Sequence, residues 1–229
     1  MKNIFVYSII FFLFFTSCTN EITPKIEKKL VNASDLNFEK SVQIKGTNYL
    51  MYPVSIKIET KSENYVSKRG FDREIYNIVF YNYKTGEKHL LFDSTQNISN
   101  IAPVILDYRQ IKKNKDSKIL FRIIITDFDN NGDLKAGHDP AYLFMSDTDG
   151  KNITQISPDF VDARSWKFIN EEKTLIEVEG KVDSNNDQKF DGADREHIYI
   201  IDIENLKNSK EILGKEFQMV LKKRYINKL

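Results

Sequence analysis

Between positions 119 and 156 the chain alternates between apolar runs and a polar interruption. I-L-F-R-I-I-I-T leads into the acidic stretch D-F-D-N-N-G-D-L-K-A-G-H-D, and P-A-Y-L-F-M-S then leads into Asp147, Thr148, Asp149 and Gly150. A near-continuous apolar run bounded by turn residues predicts a buried strand, so this stretch is expected to form one sheet unit with a long acidic hairpin loop. The same plan recurs at 175–213 and more faintly at 54–92. In the first unit Val54, Ile56 and Ile58 alternate with Ser55, Lys57 and Glu59, the period of a half-buried strand. After a loop at 60–73, Tyr76, Ile78 and Phe80 alternate again, Lys84, Thr85, Gly86 and Glu87 make a turn, and 89–92 returns. The second unit opens with a strand at 102–108 and a charged turn at 112–117; strands at 119–126 and 142–146 flank the acidic loop, and 152–156 closes the unit. In the third, 164–169 leads into a turn at 170–173. Ile176 and Val178 then alternate with Glu177 and Glu179, a loop spans 183–194, and strands at 198–203 and 211–213 enclose a turn at 204–209.

Asp127 and Asp183, which open the two acidic loops, lie 56 positions apart. A fixed period above forty residues with four short strands per period is the signature of propeller blades. The expected fold is all-β, in antiparallel repeat units of propeller-like build, with a β-sandwich or an open array as the alternative. Only three units are visible, whereas closed propellers typically have four or more blades. The tail at 217–225, where Phe217, Met219 and Leu221 alternate, is expected to add a strand and to close the structure on 42–49.

Composition narrows the class. At 41% hydrophobic and 29% charged with five prolines, 229 residues describe an ordinary globular protein. Sixteen Phe and eleven Tyr lean towards β structure. Apart from Lys2, the chain carries 33 basic and 33 acidic residues. Such a balance leaves no electrostatic footprint for a polyanion, so nucleic acid is not an expected partner.

The first residues bear on location. Lys2 is followed by a mostly apolar run at 4–15 and then by Thr16, Ser17 and Cys18, the only cysteine. This is the plan of a secretory signal, too short for a comfortable membrane span. The small pair followed by Cys18 resembles the lipobox of bacterial lipoproteins, with Phe15 at the leading position where Leu is usual. The resemblance implies cleavage before Cys18 and lipid, palmitate included, on its sulfur and amine. The alternative is an ordinary signal peptide with an incidental cysteine. The expected organisation is a signal peptide at 1–17, a lipidated polar tether at 18–41 and a β-repeat domain at 42–229. The domain divides into units at about 42–98, 99–160 and 161–215 and a final strand at 216–229. The tether could also carry a sorting signal. With no further cysteine, the domain has no disulfide and its stability rests on its core or on metal.

The stretch Y-L-F-M-S-D-T-D-G-K-N-I-T-Q-I-S-P-D, from Tyr142 to Asp159, resembles the blade motif of TolB-like β-propellers. The third unit keeps the pattern loosely in Asp202 and Asn205, and the first keeps only Tyr83, Thr85 and Gly86. The resemblance implies four-stranded antiparallel sheets with a long loop on one hairpin.

A hard cation such as calcium takes six to eight oxygens, and a loop with carboxylates at alternate positions can turn them about one point. Counting Asp183 as position one, Asn185 is three, Asp187 five, Lys189 seven through its carbonyl, Asp191 nine and Asp194 twelve, with apolar Phe190 at eight. This spacing resembles the calcium loops of EF-hand and dockerin type without their helices, and has Gln188 where glycine is expected. In the other loop Asp127, Asp129 and Asn131 stand at one, three and five, Gly132 at six, Asp133 at seven, Leu134 at eight, His138 at twelve and Asp139 at thirteen. The alternative is that Asp, Asn and Gly simply build Asx turns there. The first unit lacks such a ladder and no metal is expected in it. Zinc is disfavoured because the one cysteine and three histidines lie far apart.

No G-x-S-x-G, H-E-x-x-H or glycine-rich phosphate loop occurs. His89, His138 and His197 have no evident nucleophile as partner, and Glu177 and Glu179, which could serve glycoside hydrolysis, lie two apart on one strand face. Trp166 and the tyrosines at 49, 52, 65, 76, 81 and 83 fit core packing or cross-strand pairs better than a sugar platform. The expectation is a lipid-anchored cell-envelope protein, stabilised by calcium, that serves as a binding or scaffold module for a protein or envelope component. The alternatives are a carbohydrate-active or other hydrolase using carboxylates, and a structural accessory subunit whose sole ligand is calcium.

Overall fold

The computed structural model describes residues 36–56, 74–93, 103–113 and 116–226, all within a compact unit spanning Val31–Leu229. Cys18 and the signal segment, Ile58 and Tyr65 lie outside the described residues. Thirteen strands are described: β1 (Leu36–Phe38), β2 (Val42–Gln43), β3 (Tyr49–Ile56), β4 (Ile75–Asn82), β5 (Lys88–Leu90), β6 (Val104–Lys113), β7 (Asp116–Ile124), β8 (Ala141–Asp147), β9 (Thr154–Gln155), β10 (Asp162–Phe168), β11 (Leu175–Val182), β12 (Arg195–Asp202) and β13 (Lys210–Glu211). Twelve of them form three antiparallel meanders of four strands, β2 to β5, β6 to β9 and β10 to β13, and β1 pairs with β3. One pairing, Ile75 with Ile105, joins the first two meanders into a single nine-stranded sheet. Neither sheet closes on itself.

Strand periodicity explains why the middle unit reads as nearly continuous apolar sequence. On β7, Ile119, Phe121 and Ile123 face one side and meet Met51, Ile78 and Phe80 of the first meander together with Tyr142 and Phe144 of β8. Leu120 between them faces the other side and meets Ile111 and Leu143, then Ile176, Val178 and Ile201 of the third meander. The central sheet is therefore covered on both faces, as continuous apolar strands require. A third cluster of Val104, Ile124, Leu134 and Ala141 lies at the end of β7 that feeds the acidic loop.

The turns carry the residues their geometry needs. Asn82 Oδ1 accepts from the backbone N–H groups of Lys84 and Thr85 at 3.0 and 3.2 Å, and Asn170 Oδ1 accepts from Thr174 and Leu175 at 3.0 and 2.9 Å. Such Asx turns close a hairpin without a second residue's help. Gly150, after Asp147, Thr148 and Asp149, has φ +81° and lies so close to the Phe80 ring that a Cβ there would sit inside its van der Waals surface. This glycine meets two demands at once, a left-handed backbone and a close approach to the core.

The structure corrects three expectations. On β3 the core-facing residues are Met51, Pro53 and Ser55, whereas Val54 and Ile56 lie half-buried on the opposite face. The alternation was visible, but its buried side included a proline and a serine; Ser55 is accommodated because its hydroxyl donates to Glu39 Oε1 at 2.6 Å. Second, the segment read as tether already holds β1, whose Phe38 and Leu36 pair with Val54 and Ile56. Third, the expected C-terminal strand is helical: α1 (Lys215–Leu221) runs into a π-turn at Lys222–Ile226, and no residue of either is buried. The alternation of Phe217, Met219 and Leu221 fits a strand, but Phe217, Val220 and Leu221 fit a helical face equally well. Glu, Gln, Met, Leu and Lys are stronger helix formers than strand formers.

Candidate metal centre

The acidic loops connect the second and third strands of their meanders, β7 to β8 and β11 to β12. Their backbones are pinned by the same hydrogen bonds. Asp127 accepts from the N–H groups of Asn131 at 3.1 Å and Gly132 at 2.9 Å; Asp183 accepts from Asp187 at 3.3 Å and Gln188 at 3.1 Å. At the closing end Asp139 accepts from Phe128 and Lys135, both at 2.7 Å, while Asp194 accepts from Ser184 at 2.9 Å and Asp191 at 3.0 Å. Position for position, the opening carboxylate holds the fifth and sixth amides and the closing one holds the second and ninth. The extra residue in the first of these loops falls between the ninth position and the closing carboxylate, so the rest of the scheme is unchanged.

The backbone agrees. Asn130 and Asn186 at position four have φ of 55° and 60°, and Gly132 and Gln188 at position six have 91° and 64°. Gln188 thus takes the left-handed conformation that the pattern assigns to glycine, at a cost of about 1 kcal/mol or more. At position eight Leu134 and Phe190 are buried, Phe190 completely, as the resemblance to calcium loops leads one to expect of the residue that fixes the loop to the core.

Oxygens of Asp127, Asp129 and Asp139 lie within 4.8 Å of one another. Asp139 is fully buried. Burial, and then the nearby charges of Asp129 and Asp127, push its pKa above the usual carboxylate range, against the lowering effect of its two backbone donors. Three converging carboxylates, one without access to water, form a site of unfavourable negative potential that a cation would relieve. Each carboxylate oxygen that accepts one N–H keeps further lone-pair capacity for a metal. The donor set, carboxylate oxygen throughout, suits calcium.

The remaining candidates are placed less uniformly. Asn131 directs its amide nitrogen at Asp129 Oδ2, 3.0 Å away, and its oxygen accepts from the exposed Asp133, at 2.8 Å. Asn185 and Asp187 form the matching pair, Nδ2 to Oδ2 at 2.9 Å, and Asp187 also accepts from Lys189 N–H at 3.0 Å. Asp191 is engaged by its own turn, accepting from Ala193 N–H at 2.7 Å, while its carbonyl takes a hydrogen bond from the buried Lys181 ammonium. Among the described residues, three carboxylates converge within 4.8 Å only in the loop of Asp127, Asp129 and Asp139; Asp183, Asp187, Asp191 and Asp194 share the hydrogen-bond scheme without that convergence.

Sequence reasoning missed the way the loops meet. The rings of Phe128 and Phe190 are 4.9 Å apart at 57°, and Phe190 N–H donates to Gly137 O at 3.3 Å. Arg164 links Phe190 O to the buried Asp162, whose other oxygen accepts from Ala141 N–H at 3.0 Å. His138 Nδ1 stands 3.3 Å from Asp129 Oδ2. These contacts join residues far apart in the chain, and no local pattern signals them.

The residues weighed for catalysis are engaged elsewhere. Glu177 pairs with Lys167 at 2.6 Å and Glu179 accepts from Ser165 at 2.7 Å, on the face of the third meander turned away from its core. Trp166 packs at the edge of the second core with the Arg109 guanidinium 4.7 Å above its ring, and Tyr49 and Tyr76 pack against core clusters. His89 stacks on Phe80 at 5.5 Å and His197 meets Glu211 at 2.5 Å. None of these groups shares a cleft with a nucleophile among the described contacts. Compared with known proteins, the chain matches no family model, and no curated protein matches it at a significant level.

Proposed function

We propose that this chain is a lipid-anchored cell-envelope protein of propeller-type repeat build. Calcium in two hairpin loops stabilises it, and it serves as a binding or scaffold module for a protein or envelope component. The observation that carries the calcium reading is the repetition of one hydrogen-bond scheme, 56 residues apart, around carboxylates that converge within 4.8 Å in the first of the two loops. Ordinary Asx turns need one side-chain acceptor each; here the opening and closing carboxylates of each loop both span several residues. Asp127, Asp129 and Asp139, with Asn131 beside them, would hold one ion. Asp183, Asn185, Asp187, Asp194 and the Lys189 carbonyl would hold the other. The ion supplies charge neutralisation and cross-links the two ends of each loop. Asp139 already draws the loop's second and ninth residues together, so binding adds rigidity to a hairpin that is largely formed. The propeller reading rests on the three four-stranded meanders packed face to face in chain order. The lipid anchor rests on the sequence around Cys18 alone.

Calorimetric titration of residues 19–229 with calcium tests the metal reading. Two sites are expected, Asp127→Ala removing one and Asp183→Ala the other. Absence of binding at millimolar calcium in the parent would overturn it. The anchor is tested separately, by the mass of the membrane-extracted protein and its loss of lipid in Cys18→Ala.

A further inference from the structure

The C-terminal helical segment has no buried residue over its whole length, twelve residues from Lys215 to Ile226. Phe217, Val220, Leu221 and Tyr225 recur at the spacing of a single helical face, and they are 47%, 58%, 40% and 61% exposed, with Met219 and Ile226 beside them at 55% and 59%. Helices in water bury such a stripe against their own fold; this one leaves it open. Charge distinguishes the segment as well. Lys215, Lys222, Lys223 and Arg224 are exposed along it, Lys228 follows, and Glu216 is the only acid from 215 to the last residue. In a chain whose basic and acidic residues otherwise cancel, five cations against one anion leave this end clearly positive and the remainder acidic.

We infer that α1 and its π-turn form an interfacial helix that docks on an anionic lipid surface. The chemistry of recognition is twofold. Aromatic and aliphatic side chains enter the boundary between headgroups and acyl chains, and lysine and arginine remain level with the phosphates. Tyr225, an amphipathic ring with the Arg224 guanidinium 5.8 Å above it, is a residue type that settles at that boundary. An acidic protein would satisfy the cations but does not call for six exposed apolar side chains beside them. Single-chain lipid anchors hold proteins only marginally, and a basic patch is a common second signal. The proposal does not depend on the lipid at Cys18 or on calcium, and it makes the segment a second, independent membrane contact.

The test uses residues 19–229, which carry every described strand and helix but neither Cys18 nor the signal segment. Co-sedimentation with vesicles of phosphatidylcholine alone and with one quarter phosphatidylglycerol is measured in chelator, so that calcium bridges between acidic loops and headgroups play no part. Binding to the anionic vesicles and not to the neutral ones is expected, weakening as salt rises from 50 to 500 mM on the scale set by screening (Debye length ~10 Å at 0.1 M). Each basic residue near the surface contributes roughly fivefold, so the triple variant Lys222→Gln, Lys223→Gln, Arg224→Gln should lose roughly a hundredfold in partitioning. The pair Phe217→Ser, Leu221→Ser should also release the protein. Because all five side chains are exposed, both variants should keep the parent's unfolding midpoint. Failure of the parent to bind anionic vesicles would overturn the proposal. So would binding that survives Phe217→Ser, Leu221→Ser, which would show attraction by charge alone with no entry of the apolar face into the lipid boundary.

Discussion

Phe190 offers the most direct mechanical test of the loop architecture. Its side chain is completely buried, its ring meets Phe128 at 4.9 Å, and its N–H and carbonyl are tied to Gly137 and Arg164. Truncation to alanine removes a full aromatic side chain from beneath an otherwise exposed loop, a change that typically costs about 3–5 kcal/mol. Of this, about 0.5–1.5 kcal/mol belongs to the ring pair itself. For a domain of this length each kcal/mol moves the midpoint by about 2–4 °C, so Phe190→Ala should lower it by roughly 6–20 °C. Urea unfolding should show the same loss as a fall in transition midpoint at unchanged slope. Phe190→Leu, which retains most of the volume, should cost less than about 1.5 kcal/mol. A double-mutant cycle with Phe128→Ala should return the ring-pair energy as coupling between the loops. If Phe190→Ala costs under about 1 kcal/mol, the loop is not anchored through this residue and the likeness of its position eight to a calcium loop is only nominal.

Two further substitutions test other parts of the fold. Gly150→Ala combines a left-handed backbone with a clash against the fully buried Phe80 and should cost about 2–4 kcal/mol; Gly86→Ala, at φ +78° with open space around it, should cost only about 1 kcal/mol. Equal costs in thermal or urea unfolding would deny the close approach. The hydrogen bond and charge of Lys118, then Asn152, hold Asp147 below its ordinary pKa of 3.8. Its stabilising contribution is therefore complete above pH ~4 and is lost as pH falls through the lowered native value. With both side chains one-third exposed, the effect should stay under about 1 kcal/mol. Acid unfolding curves of the parent and Asp147→Asn should converge as the pH falls, and a difference that grows in acid would contradict the assignment.

Much of this fold is written in short-range pattern. The hairpin turns, the continuous apolar strand β7 and the strands flanking the acidic loops are local properties, and they follow the short-range pattern of the residues. The register of β3 was harder, because Pro53 and Ser55 face the core and Ser55 depends on Glu39, 16 residues away. In the tail a window of nine residues satisfies period two and period 3.6 together, so the pattern alone does not separate a strand from the helix found there. Within the loops, the carboxylates at positions one and closing were legible from spacing. Their amide partners follow from that geometry, but the contact between Phe128 and Phe190 joins residues 62 apart and left no local trace.

The account stands or falls on whether the two loops hold calcium. A ligand that binds only the folded state raises stability by mass action, about 2.7 kcal/mol at a hundredfold excess over its dissociation constant. The decisive measurement is thermal unfolding of residues 19–229 in chelator and in millimolar calcium, beside Asp127→Ala and Asp183→Ala. The expected result is a higher midpoint with calcium in the parent, part of that rise lost in each variant and all of it lost in the double variant. An unchanged midpoint in the parent would contradict the account and leave the loops as hairpins closed by Asx turns.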